Sequence, residues 1–546
     1  MGDIRPAGGA DPLSPVQFLE RAAHHFAARQ AVIDGERVVS YAELWDRCRR
    51  LGGHLRERGV GAGDRVAVLA LNSLPLLEAH YGVPHSGAAL VALNTRLNPH
   101  EIAAILDHCQ PSVFVVDDRL AGLADRALSA CTASPATVRV GGVSDEYEAA
   151  LAGAPALEPE GLDERSLLSI NYTSGTTGRP KGVMYSHRGA FLQALAVIHH
   201  AHLGMESVFL WTLPMFHCNG WCFTWGVTAA GGTHVCLERP EPQRTWELVR
   251  RHGVTHFNCA PTVLSDLLAG PQQTPTAGSA KVRVQVGGAP PSPALLRRAA
   301  EYGIDVTHLY GLTETYGPAV VCEWQPDWDG RDEGERAVLK ARQGIGTVVT
   351  TSLRVLDERG LDVLPDGSSA GEIAIRGNNV MLGYYLDEEA TRRAIPDGWF
   401  RTGDLGVCHP DGYVELTDRA KDVIVSGGEN IASVEVERVL AAHPAVLEAA
   451  VVAAPDLRWG EVPAAFVTLR DGAAASEGEL SGFVRDHLAG FKIPRRICFG
   501  PLPRTSTGKV QKQRLRERAR ELWPASDDAA TTFLGPSPTS TPVTRT

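Results

Sequence analysis

The segment YTSGTTGRPKG, residues 172–182, is the densest run of chemistry in the chain. Thr173, Ser174, Thr176 and Thr177 supply hydroxyl donors, Gly175 and Gly178 remove side chains, and Lys181 adds a cation. A loop so rich in N–H and O–H groups can wrap a polyphosphate. It differs from the Gly-Lys-Ser/Thr type of phosphate loop, because Pro180 precedes Lys181 and Gly182 follows it.

Four further strings carry groups of the right kind. YGLTET (310–315) sets the Glu314 carboxylate among hydroxyls, a donor set suited to Mg2+ held against phosphates. In WFRTGDLG (399–406) Asp404 either accepts both hydroxyls of a ribose or sits in an ordinary glycine turn. PRTSTGKVQK (503–512) presents Lys509, a cation able to hold two anions together. PMFHCNGWCFTWG (214–226) places His217 among aromatic rings, and Trp221 there reads equally as core. Cys218 and Cys222 lack companion ligands nearby, which argues against a metal.

These loops need a frame, and the pattern supplies one. RVAVLAL (65–71), SVFVV (112–116), VTHFNCA (254–260) and VRVQV (282–286) read as buried strands. A helix follows the third, opened by Pro261 and closed by Gly270, and Ser292 with Pro293 opens another. Repeated strand–turn–helix units predict an α/β fold with mostly parallel layers, whose sites lie at the carboxyl ends of strands. From about residue 350 the turns Glu-Arg-Gly and Pro-Asp-Gly predict hairpins and a small barrel-like unit. The pattern resets near residue 419, with a strand, the Gly427–Gly428 turn and a helix that Ser433 could cap. The expected domains are 1–418, a small α+β domain over 419–525, and a tail over 526–546 rich in Ser, Thr and Pro that reads as disordered.

Composition bounds the partners. The chain has 546 residues with 53 Lys and Arg against 64 Asp and Glu, so a general basic footprint for nucleic acid is missing. The cations Lys512, Arg514, Arg516, Arg518 and Arg520 read as a solvated helix face. Ten cysteines without a C-x-x-C pair suggest reduced thiols in the cytoplasm. No signal peptide, membrane span or peroxisomal tripeptide is expected, and a homodimer stays open.

The motifs, in this order, resemble the adenylate-forming superfamily: acyl-CoA synthetases, amino-acid adenylation domains and beetle luciferases. The resemblance runs from about Phe18 to Leu522. It implies a mobile C-terminal domain and a site for ATP, Mg2+ and CoA. ATP would meet Thr173, Ser174, Gly175, Thr176, Thr177, Gly178 and Lys181 through its phosphates. Gly288, Ala289 and Pro290 would wall the adenine, Tyr310 would stack on it, and Gly311 and Thr315 would lie alongside. Thr313 would touch the α-phosphate, Glu314 and Thr176 would hold Mg2+, Asp404 would take the ribose, and Arg419 would contact ribose or phosphate. Lys509 would act in the first half-reaction, with Glu314, Thr313 and His217. Lys421, Ser426, Gly427, Gly428 and Trp459 would meet CoA. The acid pocket would be lined by His217, Asn219, Trp221, Gly288, Gly311 and Gly317.

The function so implied is an ATP-dependent carboxylate–CoA ligase acting through an acyl-adenylate. The LPMFHCNGWCFTWG string is most similar to ligases for short- to medium-chain and aryl acids, plant acyl-activating enzymes included. A second reading transfers the acid, or a small oxyanion, to an amine or a stand-alone carrier protein. A third is a catalytically silent nucleotide-binding protein, and it conflicts with the joint presence of Lys181, Glu314, Asp404, Arg419 and Lys509.

Overall fold

The computed structural model describes residues 11–159, 161–174, 180–269, 281–350, 352–419, 422–426, 429–456, 459–505 and 508–524. The chain forms two compact units, dividing between Leu416 and Thr417, with the segment ending at Lys509 grouped with the larger unit. The expected tail over 526–546 lies outside the described residues.

The larger unit is built on two sheets whose centres are parallel. In the seven-stranded sheet Ala89–Ala92, Arg65–Leu69, Val113–Asp117 and Ala136–Val140 run parallel. Near-continuous Val, Ala and Leu in these strands suit burial on both faces. Leu167–Ser174 joins Ala89–Ala92 in parallel, and Pro180–Ser186 and Gly383–Tyr384 close that side, each antiparallel to the strand before it. In the nine-stranded sheet the parallel centre includes Val208–Leu210, His256–Cys259, Val282–Val286 and Ile304–Leu312. Gly317–Val321 then folds back antiparallel on the last of these.

Expected and observed strands coincide at 282–286 and shift by one or two residues elsewhere. Ser292 caps its helix through Leu295 N–H, with Pro293 at the first helical position. One core joins both sheets: Val66 and Val68 of the first share it with Phe209 of the second and with Trp211 just beyond that strand. The region after residue 350 is a four-stranded antiparallel sheet of Ser352–Leu356, Ala370–Arg376, Phe400–Cys408 and Val414–Arg419.

The smaller unit holds a five-stranded sheet with a core on each face. Ser433 is not the cap expected of it. Ala432 takes that position, and Ser433 Oγ accepts a hydrogen bond from Lys512 Nζ at 2.6 Å. The hydroxyl ties two helices together.

Candidate active site

The phosphate-loop motif is a β-hairpin at both of its ends. Thr173 pairs with Lys181 and Ser174 with Pro180, so strand geometry fixes where the loop leaves and returns. Gly175, Thr176, Thr177 and Gly178 lie outside the described residues, as does the side chain of Ser174. Lys181 Nζ stands 4.7 Å from the centroid of the Tyr384 ring, a cation–π distance. The Tyr384 hydroxyl donates to Glu314 Oε1 at 2.8 Å. One phenol thus spans the cation of the first motif and the carboxylate of the second. Burial, and next the charge of Glu314, raises the Tyr384 phenol, so it stays a donor.

Glu314 sits in the single helical turn Thr313–Thr315. Met381 N–H donates to the Glu314 carbonyl at 2.9 Å, and the Tyr185 hydroxyl to that of Thr313 at 2.6 Å. Among the described residues Glu314 Oε2 accepts no hydrogen bond. A carboxylate oxygen held in place with its lone pairs open fits a Mg2+ ligand. Thr315 is fully buried, and its hydroxyl meets Leu312 N–H, Leu312 C=O and Gly317 C=O. Its side chain fastens the loop.

The strand Ile304–Leu312 extends through Tyr310 and Gly311, past the point where the sequence suggests a loop. Tyr310 OH donates to Asp404 Oδ2 at 2.7 Å, joining the third motif to the second. Asp404 is 3% exposed, and its N–H donates to Thr402 Oγ1 at 3.1 Å. Gly288 and Ala289 are exposed at the end of Val282–Val286, and Gly288 takes φ +85° with open space around it. Strand ends of the nine-stranded sheet therefore carry both the Gly288–Ala289 turn and Tyr310, where α/β sheets place their sites.

On the acyl side His217 is half-buried and neutral. Burial, and second the Lys509 charge, pull its pKa down to about 4. The next five residues all have positive φ: Cys218 43°, Asn219 44°, Gly220 61°, Trp221 53° and Cys222 64°. This is a left-handed turn, and it costs each residue with a Cβ roughly 1–2 kcal/mol. Gly220 is obligatory, since a Cβ there would stand 2.6 Å from the Trp211 ring. Asn219 is fully buried, with Oδ1 accepting from Ser169 Oγ at 2.8 Å and Tyr316 OH at 3.2 Å. Burial pushes the Cys218 thiol up to about 12, and Cys218 and Cys222 pack as small apolar groups.

The turn delivers Trp221 to a close fit. A Cβ on Gly287 would lie 2.9 Å from the indole Cη2, and one on Gly317 would lie 3.1 Å from Trp221 Cα. The glycines are what make room for the ring. Gly311 has the same need: a Cβ there would fall 2.0 Å from the Gly317 carbonyl oxygen.

With these groups placed, similarity to known proteins becomes decisive. The family model described as "AMP-binding enzyme" matches residues 19–385, and that of the "AMP-binding enzyme C-terminal domain" matches 435–509. The chain is an AMP-binding enzyme. It is 42% identical over 542 residues to the acetate–CoA ligase CCL3 of Humulus lupulus, covering 93% of this chain and 95% of that one. It is 40% identical to a trans-cinnamate:CoA ligase of Petunia hybrida, described as peroxisomal, covering 95% of this chain and 96% of that one. Among solved structures, ATP-bound MatB from Rhodopseudomonas palustris has 29% identity and a TM-score of 0.82, covering 93% of this chain and 99% of that one.

In the smaller unit of this AMP-binding enzyme, Lys421, Gly427 and Gly428 lie outside the described residues, as does the side chain of Arg419. Ser426 is 7% exposed and ends the strand Ile424–Ser426, paired with Gly460. Trp459 N–H donates to Asp456 Oδ1 at 2.9 Å, and the Arg495 guanidinium lies 5.5 Å over its ring. The cationic helix Lys512–Leu522 keeps Arg514, Arg518 and Arg520 exposed, as a solvated face would, while several of its cations also have partners. Lys512 pairs with Glu437, Arg516 pairs with Asp422, and Arg518 lies over Phe466.

Tyr384 and the left-handed turn are what sequence reasoning missed. Tyr384 reaches Glu314 because Gly383–Tyr384 pairs with the strand after the phosphate loop, a tertiary fact with no local signal. The Asn-Gly pair at 219–220 does hint at positive φ. Among the described residues, His199, His200 and Glu323 form a group close enough to converge on a metal. Val348 N–H, however, donates to His200 Nε2 at 3.1 Å. That fixes the proton on Nδ1, facing Glu323 Oε1 at 2.8 Å, where a metal would need a lone pair. No described helix is long and apolar enough to cross a membrane.

Proposed function

We infer that this enzyme is an AMP-forming acid–thiol ligase for small carboxylic acids, with CoA as the thiol. Several relatives in the family are named as CoA ligases for acetate, butyrate and 2-methylpropanoate, and these acids are the first to try. The observation that carries the small-acid reading is the seat of Trp221, pressed against Gly287 and Gly317 beside the His217 segment. An indole in that place ends the acyl pocket early. The relatives' names likewise favour a thiol acceptor over an amine.

In the first step a carboxylate oxygen attacks the α-phosphorus of ATP, and the bond to pyrophosphate breaks. Both partners are anions, so cations must hold them in line. Lys181 and Lys509 serve here, and Tyr384 holds the Glu314 carboxylate at one oxygen. Glu314 Oε2 and Thr176 would ligate Mg2+, which when bound neutralises phosphate charge. Asp404, steadied by Tyr310, takes the ribose hydroxyls. His217 is neutral at working pH, so it orients the acid by hydrogen bonding without adding charge. In the second step the CoA sulfur attacks the acyl carbon and AMP leaves. Between steps the segment carrying Lys509 would withdraw, and the chain following Ser426, where Gly427 and Gly428 lack a Cβ, would admit a pantetheine arm.

All ten cysteines are free, which suits a reducing compartment, and we place the enzyme in the cytosol. The test is pyrophosphate release from a panel of straight-chain and aryl acids, with thioester measured after adding CoA. Thioester should appear only with ATP, and most readily from small acids. Pyrophosphate without thioester would overturn the choice of acceptor.

A further inference from the structure

We propose that Asn219 is a positioning residue for acyl-chain selection: its buried amide clamps the left-handed turn that carries Trp221. The proposal rests on the reading of Trp221 as the end of the acyl pocket, and deepens it.

Five successive residues hold φ between 43° and 64°, and four of them have a Cβ. A chain of L-residues released from restraint leaves this conformation for the right-handed one. The turn's own backbone bonds, such as Gly220 N–H to His217 C=O at 2.9 Å, do not favour either hand. Something outside the backbone must choose. The thiols of Cys218 and Cys222 are weak hydrogen-bonding groups, with contacts of 3.7 Å to Thr313 Oγ1 and to the Tyr316 carbonyl. Asn219 is the one strong polar anchor in the turn. Its Oδ1 takes two hydroxyl donors, and its carbonyl takes a third from Thr224 Oγ1 at 3.0 Å.

The two donors to Oδ1 are themselves fixed. Ser169 lies on Leu167–Ser174, the strand that runs into the phosphate loop. Tyr316 is stacked on Tyr185 with ring centroids 3.6 Å apart, and it immediately precedes Gly317. The clamp therefore ties the turn to the same short segment against which Trp221 is seated. Neither Gly287 nor Gly317 leaves room for a Cβ beside Trp221, so the indole sits directly against both backbones and a slack turn would displace it. Asn is also the residue with a Cβ that best tolerates positive φ, and the experiment must separate that from the clamp.

Asn219→Gly makes the separation, because glycine takes φ 44° freely but has no amide. The full-length enzyme is assayed for pyrophosphate release with butyrate and octanoate, as wild type, Asn219→Gly, Trp221→Gly and the double variant. Trp221→Gly should raise the octanoate-to-butyrate ratio of kcat/KM by about tenfold or more, and Asn219→Gly by about three- to tenfold. The Asn219→Gly change should appear in KM for the acid, with KM for ATP unmoved. In the double variant the ratio should equal that of Trp221→Gly, since a residue acting through the indole has nothing left to position. If Trp221→Gly shifts the ratio and Asn219→Gly does not, the clamp is wrong and the pocket reading stands. A silent Trp221→Gly would overturn both. An extra shift in the double variant would show that Asn219 acts by another route. Should Asn219→Gly fail to fold, Tyr316→Phe removes one donor and keeps the ring stack. It should shift the ratio in the same direction, and an unchanged ratio would equally defeat the clamp.

Discussion

Tyr384 donates its hydroxyl to Glu314 at 2.8 Å while its ring carries the Lys181 ammonium on one face. A single side chain thus sets the spacing of a cation and a carboxylate that come from different motifs. Tyr384→Phe keeps the ring and removes the bond that steadies Glu314. It should lower pyrophosphate exchange by about tenfold, the loss of one hydrogen bond to a charged group. Much of that loss should return at high Mg2+. Tyr384→Ala, which also frees Lys181, should add a rise in KM for ATP. Exchange rates across Mg2+ and ATP concentrations check both, and a Tyr384→Phe enzyme with wild-type Mg2+ dependence would break the link.

The Tyr310–Asp404 bond at 2.7 Å makes a graded prediction at the nucleoside end. Asp404→Ala removes the carboxylate proposed to accept the ribose hydroxyls and should raise KM for ATP at least about tenfold, as for a lost charged hydrogen bond. Tyr310→Phe leaves the carboxylate and the ring in place, and should cost only about threefold. Steady-state kinetics against 2′-deoxy-ATP supply the control, because Asp404→Ala should discriminate less between the two nucleotides than wild type does.

Much of this frame was legible in the chain, for a physical reason. Parallel strands buried on both faces write themselves as apolar runs, and Val282–Val286 has the expected bounds. The Ser292–Pro293 start is equally local. Tyr310, Glu314 and Asp404 are named by their motifs, yet that Tyr310 reaches Asp404 and Tyr384 reaches Glu314 depends on strands far apart in sequence. Ser433 shows the converse. A cap-type residue stood in the right place, and Lys512, 79 positions away, claimed its hydroxyl.

Gly311 tests the packing beneath the site. Gly311→Ala would place its Cβ 2.0 Å from the Gly317 carbonyl oxygen, with backbone on both sides and nothing flexible to move. The overpacking should destabilise the enzyme by about 3 kcal/mol or more. Urea unfolding of Gly311→Ala against Gly253→Ala measures it, since a Cβ at Gly253 meets nothing within 4 Å and only the φ of 62° opposes it. Equal midpoints would show that the Gly311–Gly317 approach is looser than described.

Acid sensitivity follows from His234. It is fully buried, and burial, then repulsion from His80, pulls its pKa down to about 3. Trp211 Nε1–H donates to Nδ1 at 3.1 Å, so the ring's proton sits on Nε2, toward Thr228 Oγ1 at 2.9 Å. The unfolded chain takes up a proton near pH 6.5 and the folded one does not until about pH 3. Stability contributed by the neutral ring is therefore complete above pH 6.5 and declines as pH falls through that window. The slope is up to about 1.4 kcal/mol per pH unit for each such group. His80, His187 and His256, each lowered to about 4, act in the same sense. His234→Gln should flatten the pH dependence of the urea midpoint by close to one proton's worth between pH 6 and 4. An unchanged slope would mean that the ring titrates normally.

Lys509 offers a test that separates the two half-reactions. The proposed mechanism uses it in adenylation, where two anions must meet, and not in thioester formation, where AMP is already leaving. Lys509→Ala should therefore abolish pyrophosphate exchange, a loss of about a thousandfold for one charge aimed at the transition state. It should leave thioester formation from a supplied acyl-adenylate within about threefold of wild type, because that step no longer brings a carboxylate to the triphosphate. The His217 ring gives an independent reading. The Lys509 charge is the second cause of its lowered pKa, after burial. Removing that charge should move the His217 titration upward from about 4, while burial keeps it below the ordinary histidine value. Carbon-13 NMR of labelled histidine can follow the ring against a His217→Asn spectrum. Equal loss of both half-reactions would contradict the two-conformation scheme, and an unmoved His217 resonance would separate the lysine from the acid's binding site.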